Sequence, residues 1–243
     1  MEDFTLGLAL YDFVPVVLTG IAVLYIARAI KMSGVPSASF AGLGAVLVFT
    51  AGLSKAAWKL IATLTNQDIA WLATLLFPLM APGFALLAAG VWAGQRQRAL
   101  RTALFWIVPF AAIALAFTFA IYRMSQGVER GWFMPIMALA SLSNIVLTVL
   151  LFRMAWKRGS RAIAILFTIN LAMVFALIPI AQMDSHSIAI HWLEQTLTAV
   201  GAAAFAFAAF KLSRGITVAS VPSDPEPSGF APTRAAIASG IAS

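Results

Sequence analysis

The sequence predicts an all-α integral membrane protein built from seven transmembrane helices. Hydrophobic residues make up 62% of the 243-residue chain and charged residues only 10%, whereas soluble domains carry about 25% charged residues. The apolar residues fall into runs close to the ~20 residues that a helix needs to cross the bilayer. The runs lack the alternating pattern of a membrane β-barrel. Numbered 1 to 7, they are Leu8–Ile30, Gly42–Leu64, Ile69–Ala93, Ala103–Tyr122, Phe133–Ala155, Ala162–Ala181 and Ala189–Leu212.

The basic residues predict the orientation of these segments. Lys and Arg concentrate in the loops after segments 1, 3, 5 and 7, and the alternate loops are poor in them apart from the 4–5 loop. The positive-inside rule then places the N-terminus outside and the C-terminus in the cytoplasm. An acidic N-terminus (Glu2, Asp3) argues against a signal peptide, and we expect a bacterial inner-membrane location. The basic residues at these segment ends and in the loops that follow are Arg28, Lys31, Arg96, Arg98, Arg101, Arg153, Lys157, Arg158, Arg161, Lys211 and Arg214.

We predict a transmembrane domain over residues 1–215 and a flexible cytoplasmic tail over residues 216–243. The tail is rich in Ser, Pro, Ala and Gly, a composition that buries too little apolar surface to order itself. Within the domain, short matches at offsets of 120, 118 and 121 residues predict a repeat of 8–93 in 133–212, with 103–122 as linker helix. These pair Phe13-Val14-Pro15 with Phe133-Met134-Pro135, Leu47-Val48-Phe49-Thr50 with Ile165-Leu166-Phe167-Thr168, and Trp71-Leu72 with Trp192-Leu193.

This 3+1+3 layout resembles the seven-helix plan of microbial rhodopsins and of the SWEET and PQ-loop transporters. The resemblance covers topology across residues 8–212 and implies an extracellular N-terminus. Mid-segment 7 reads Thr198-Ala199-Val200-Gly201 and has no retinal-binding lysine, and the chain contains no Pro-Gln pair. No residue role is therefore carried over, and we expect no cofactor.

Charges inside the apolar segments are the candidate functional residues. Lys55 and Lys59 lie four residues apart and so share one helix face. A charge at the bilayer centre costs about 2.5–3.5 kcal/mol or more, so such residues usually face the bundle interior with a partner. A rise of about 1.5 Å per residue places Lys59, Asp12 and Glu194 in one layer of the outer leaflet. In a ring of seven helices segment 1 lies beside segments 2 and 7, so the predicted charge layer comprises Lys55, Lys59, Asp12, Glu194, His191 and Gln195.

Polar residues near mid-membrane form a second group of candidates. Ser54, Asn144 and Asn170 are candidates to line a cavity, although single polar residues more often make helix–helix hydrogen bonds. Pro78, Pro82 and Gly83 predict a kink in segment 3.

Three functions fit these patterns. The first is a transporter or binding protein for a small anionic or zwitterionic solute that binds at the charge layer. The second is a membrane sensor or interaction subunit without catalysis. The third is an intramembrane lipid-modifying enzyme that uses Glu194 and His191 as an acid–base pair. A purely structural role, in which the charges pin helices together, competes with all three.

The composition also bounds the partners. The chain has no cysteine, which excludes disulfides and cysteine metal sites, and two histidines predict no metal site. The basic residues are dispersed, so we expect lipid and no nucleic acid as a partner. The small-residue stretch Gly201–Ala209 permits close packing within a subunit or between two copies, which leaves a homo-oligomer open.

Overall fold

The computed structural model describes residues 5–34, 38–95, 104–180 and 188–219, and helix is the regular secondary structure of these ranges. The predicted basic loop around Arg96, Arg98 and Arg101 and the tail from residue 220 onward lie outside them. The helices are α1 (Leu6–Tyr11), α2 (Phe13–Met32), α3 (Ala38–Thr65), α4 (Ala70–Thr74), α5 (Leu76–Gln95), α6 (Leu104–Ser125), α7 (Phe133–Lys157), α8 (Arg161–Ile180) and α9 (Ile188–Ala219). Helix α9 runs four residues past the predicted domain boundary at 215.

Prolines divide segments 1 and 3 into two helices each. Pro15 has no N–H to donate to the carbonyl of Tyr11, and the chain turns at Asp12 between α1 and α2. In the same way Pro78 cannot donate to the carbonyl of Thr74, and the chain turns at Leu75 between α4 and α5. The predicted distortion of segment 3 is therefore found, but it lies before Pro78, and α5 continues through Pro82.

Six helical stretches in the described ranges are long and apolar enough to cross a membrane, and they match segments 1 to 5 and 7. They span 20–28 residues with mean hydropathies of 1.5–2.1. Segment 6 is represented by α8, in which the described apolar stretch is the shorter Arg161–Leu177. The protein is therefore an integral membrane protein, with six of the seven predicted spans supported by length and hydropathy.

Helix packing produces a ring of six helices with a seventh outside it. Around the ring, α2 packs on α3, α3 on α5, α5 on α7, α7 on α8, α8 on α9, and α9 on α2. Helix α6 packs mainly on α7 and, less extensively, on α5. Only 6% of its apolar stretch is buried, against 33–44% in the other five spans. The expectation that segment 1 lies beside segments 2 and 7 is met, whereas a ring of all seven helices is wrong, because segment 4 lies outside it.

Small residues set the closest helix approaches. A Cβ on Gly44 of α3 would lie 2.7 Å from the carbonyl oxygen of Gly83 on α5, so these backbones touch. Ala208 and Ala209 of α9 are fully buried within the subunit, where α9 packs on α2 and α8. The small-residue stretch of segment 7 is thus used inside the subunit.

Candidate functional site

The largest concentration of buried charge borders a cavity of about 240 Å³ between α2, α3, α5 and α9, here called the charged cavity. Its ionisable lining residues are Asp12, Lys55 and Lys59, which together carry a formal charge of +1. The remaining lining residues are Pro15, Val16, Thr19, Val48, Gly52, Ala56, Leu76, Met80, Gln195 and Thr198. The cavity is therefore mostly apolar with one net positive charge.

A buried ion pair forms one wall of the charged cavity. Lys59 Nζ lies 2.6 Å from Asp12 Oδ2, and the two residues are only 8% and 6% exposed. Asp12 lies at the break before α2, where its side chain makes no capping hydrogen bond and turns to Lys59 instead. The positive end of the α2 dipole also favours a carboxylate at this position. The pair joins segments 1 and 2, as the sequence predicts for these two residues.

Lys55 lies one turn before Lys59 on the same face of α3. Both residues line the charged cavity, but Lys55 is exposed whereas Lys59 is buried. Gly52 lies on this face as well, and a Cβ there would be 3.1 Å from Val16 of α2. The close approach of α2 and α3 at Gly52 thus forms the part of the cavity wall that precedes the two lysines along α3.

The other three members of the predicted charge layer lie on different faces of α9. Gln195 lines the charged cavity, but Glu194 and His191 are not among its lining residues. Instead, His191 Nδ1 lies 3.5 Å from Glu194 Oε2 in a partly exposed local pair. Consecutive residues of a helix point about 100° apart, so a face that presents Gln195 turns Glu194 aside. Glu194 therefore does not border the charged cavity, and the balance of two lysines against two carboxylates in one layer stays a prediction.

A second cavity of about 260 Å³, here called the amide cavity, adjoins the first. Two predicted residues, Asn144 of α7 and Asn170 of α8, line it together with Ser141. Most of the rest is apolar: Phe77, Met80, Phe84, Ala140, Met173, Val174, Leu177, Leu197, Gly201, Ala202 and Phe205, with Thr19 and Thr198.

Ser54 does not line either of these cavities. Its hydroxyl donates to the carbonyl oxygen of Ala51 at 2.8 Å, within its own helix. Ser54 is thus an instance of the structural alternative, in which the polar group is satisfied locally.

Three residues that sequence reasoning did not single out border both cavities: Thr19, Met80 and Thr198. The sequence contains only a weak signal for these three residues. Thr19 lies one turn after Pro15 and Thr198 lies three residues after Gln195, so each shares a face with a cavity residue. Met80 carries no polar atom that would mark it within an apolar helix.

The described residues contain no group of three His, Asp or Glu side chains placed to hold a metal ion. Comparison of the chain with known protein families, curated proteins and solved structures finds no match. The class that the fold defines is an integral membrane protein with a charged cavity between its helices.

Proposed function

We propose that this membrane protein binds and transports a small organic anion, and that the anion enters the charged cavity. The observation that carries the proposal is the lining of that cavity, which combines two lysines and one aspartate within membrane-spanning helices. The net charge of +1 favours an anionic ligand over a zwitterionic one. Glu194, which would have restored neutrality, does not line the cavity.

The two lysines have different roles in this proposal. Lys55 is exposed and borders the cavity, so it attracts the negative group of the ligand. Lys59 is held by Asp12, and a ligand anion that reaches Lys59 competes with that carboxylate.

The far end of the bundle contains a third cavity. A cavity of about 120 Å³ lies there between α2, α5, α7 and α9 and is lined in part by Ile26, Leu151 and Arg158. Between it and the first two cavities each of these helices contributes fully buried residues: Val23, Leu87, Leu147 and Ala208. In this proposal, alternating access requires the buried layer to open towards the Arg158 end.

The structural alternative explains part of the site. A buried Asp12–Lys59 pair is sufficient to pin α2 to α3 as polar glue. That pair does not include Lys55, the second lysine that borders the same cavity. The enzymatic alternative is weaker, because the His191–Glu194 pair borders neither the charged nor the amide cavity. Lys55 is therefore the residue that separates ligand binding from helix pinning.

The test is mass spectrometry of small molecules that co-purify with protein extracted in native lipid. We compare wild type, Lys55→Met and the control Lys157→Met, which removes an exposed lysine at the end of α7. We expect an anionic species in wild type and in Lys157→Met that falls at least tenfold in Lys55→Met.

The same small-molecule profile in all three proteins would overturn the proposal. The lysines would then have a structural role, and a lower thermal stability of Lys55→Met alone would be the supporting result for that role.

A further inference from the structure

We infer that the charged cavity and the amide cavity are two compartments of one chamber, and that its ligand is an organic anion with an apolar, ring-sized body. The inference rests on the proposed function, because it specifies the substrate class of the same site. The negative group lies at Lys55, and the body extends past Met80 towards Asn144 and Asn170.

The two cavities meet at shared side chains, with no helix between them. Thr19 from α2, Met80 from α5 and Thr198 from α9 line both. The Thr198 hydroxyl donates to the carbonyl oxygen of Glu194 at 2.7 Å, so its hydrogen is used within its own helix. Met80 has an unbranched, adaptable side chain that can move aside for a ligand. These three residues form a constriction, here called the neck, through which a ligand can extend from one cavity into the other.

Asn170 indicates that the second compartment receives a polar group. The residue is only 9% exposed, and it lines the amide cavity. Its carboxamide carries both a donor and an acceptor group, and such groups are costly to bury without hydrogen bonds. Its Oδ1 lies 3.5 Å from the Cβ position of Gly201, which also lines the amide cavity. A ligand group or water in this cavity would satisfy the amide.

The other walls of the amide cavity suit an apolar ring. Phe77, Phe84 and Phe205 come from α5 and α9 and line it together with Met173. Its volume is about 260 Å³, whereas an apolar cavity of about 150 Å³ already accommodates benzene. The compartment therefore has room for a ring and for contact with the Asn170 amide.

The predicted duplication supplies a reason for two adjoining compartments. Applying the repeat offsets, Gly52 corresponds to Asn170, Lys55 to Met173, and Met80 to Gly201. Gly52 and Lys55 line the charged cavity alone. Their counterparts Asn170 and Met173, together with Gly201, line the amide cavity alone, and Met80 lines both cavities.

The experiment measures binding of three probes to the full chain in lipid nanodiscs: propionate, 3-phenylpropionate and 3-phenylpropan-1-ol. We expect wild type to bind 3-phenylpropionate at least tenfold more tightly than propionate and than the uncharged alcohol. Lys55→Met should weaken both anions at least tenfold. Asn170→Leu should weaken 3-phenylpropionate at least fivefold, leave propionate unchanged, and keep the midpoint of thermal unfolding equal or higher.

Thr148→Val is the matched control. Among the described residues the Thr148 hydroxyl is buried without a hydrogen-bond partner, but the residue borders neither the charged nor the amide cavity. Its replacement should leave the affinity for both anions unchanged.

Two results would overturn the chamber and leave the proposed function standing. One is equal, Lys55-dependent affinity for propionate and 3-phenylpropionate. The other is an Asn170→Leu protein that is less stable but binds 3-phenylpropionate like wild type. Failure of wild type to bind 3-phenylpropionate would also reject the inferred ligand class, whereas the proposed function is decided separately by the molecules that co-purify in native lipid.

Discussion

The buried ion pair of Asp12 and Lys59 is costly to desolvate, but it also selects how α2 and α3 pack. Removing two charges from water costs several kcal/mol per ion, and their attraction offsets this only with good geometry. Here the two charged atoms lie 2.6 Å apart, and the α2 N-terminus adds a favourable dipole at Asp12. The pair can form only if α2 and α3 adopt one register, so it selects that register as well as joining the helices.

We predict that Asp12→Asn lowers the midpoint of thermal unfolding substantially, because Lys59 then remains buried without its carboxylate. Breaking one side of a buried pair costs about 3–5 kcal/mol. The double variant Asp12→Asn/Lys59→Met should be more stable than Asp12→Asn, since no unpaired charge remains. Thermal unfolding in nanodiscs measures both effects.

Glu129→Gln provides the control for this series, because it removes an exposed carboxylate in the loop before α7. It should leave the unfolding midpoint unchanged. A stability of Asp12→Asn equal to that of Glu129→Gln would show that Lys59 reaches water or lipid headgroups without Asp12.

Among the helices, the α3–α5 crossing depends most directly on missing side chains. A Cβ on Gly83 would lie 2.8 Å from Val48 Cγ2 and 3.0 Å from the Gly44 carbonyl oxygen. Backbone atoms cannot move aside as a flexible side chain can, so glycine at both positions sets the distance between the helices. The same crossing positions Met80 of α5 against the α3 face that carries Lys55.

We predict that Gly44→Ala destabilises the protein by about 1–3 kcal/mol, the usual cost of overpacking a core. The added methyl would meet the Gly83 carbonyl at 2.7 Å and the Leu87 nitrogen at 3.0 Å. Gly42→Ala is the matched control, because a Cβ at Gly42 of the same helix meets nothing within 4 Å. Equal unfolding midpoints for the two variants would contradict the close crossing.

The whole bundle separates a closed ring from a peripheral helix. Helix α6 has exposed large apolar side chains such as Leu115 and Phe119 and makes few contacts with the ring. Such a surface is stable in lipid, because its apolar side chains contact lipid tails and are not exposed to water. The residues that line the charged and amide cavities belong to the ring helices, apart from Asp12 at the break before α2.

Orientation in the membrane gives a prediction for the whole molecule. The positive-inside pattern places the turn after α3 outside and the turn between α7 and α8 in the cytoplasm. The chain has no native cysteine, so Gln67→Cys and Ser160→Cys each carry a single reactive thiol. An impermeant maleimide should label Gln67→Cys on intact cells, and Ser160→Cys only after permeabilisation. The reverse pattern would invert the topology.

The class of protein and much of the helix layout could be predicted from the sequence. Hydropathy located the segments, since transfer into lipid depends on composition over a run and little on neighbours. The helical period and rise also placed Asp12 and Lys59 at matching depth on segments 1 and 2. Both helix breaks follow from a proline four residues after the unpaired carbonyl, although only the one in segment 3 was predicted.

The rotation of each helix about its axis was decided only by tertiary packing. This rotation turns Gln195 and Thr198 towards the cavity and Glu194 away, although all three are polar and lie within five residues of one another. The packing of the helices also places Met80 at the neck and α6 outside the ring. Depth follows from counting residues along a helix, but rotation depends on which small side chains let neighbouring helices approach, and those contacts join residues that are distant in the chain.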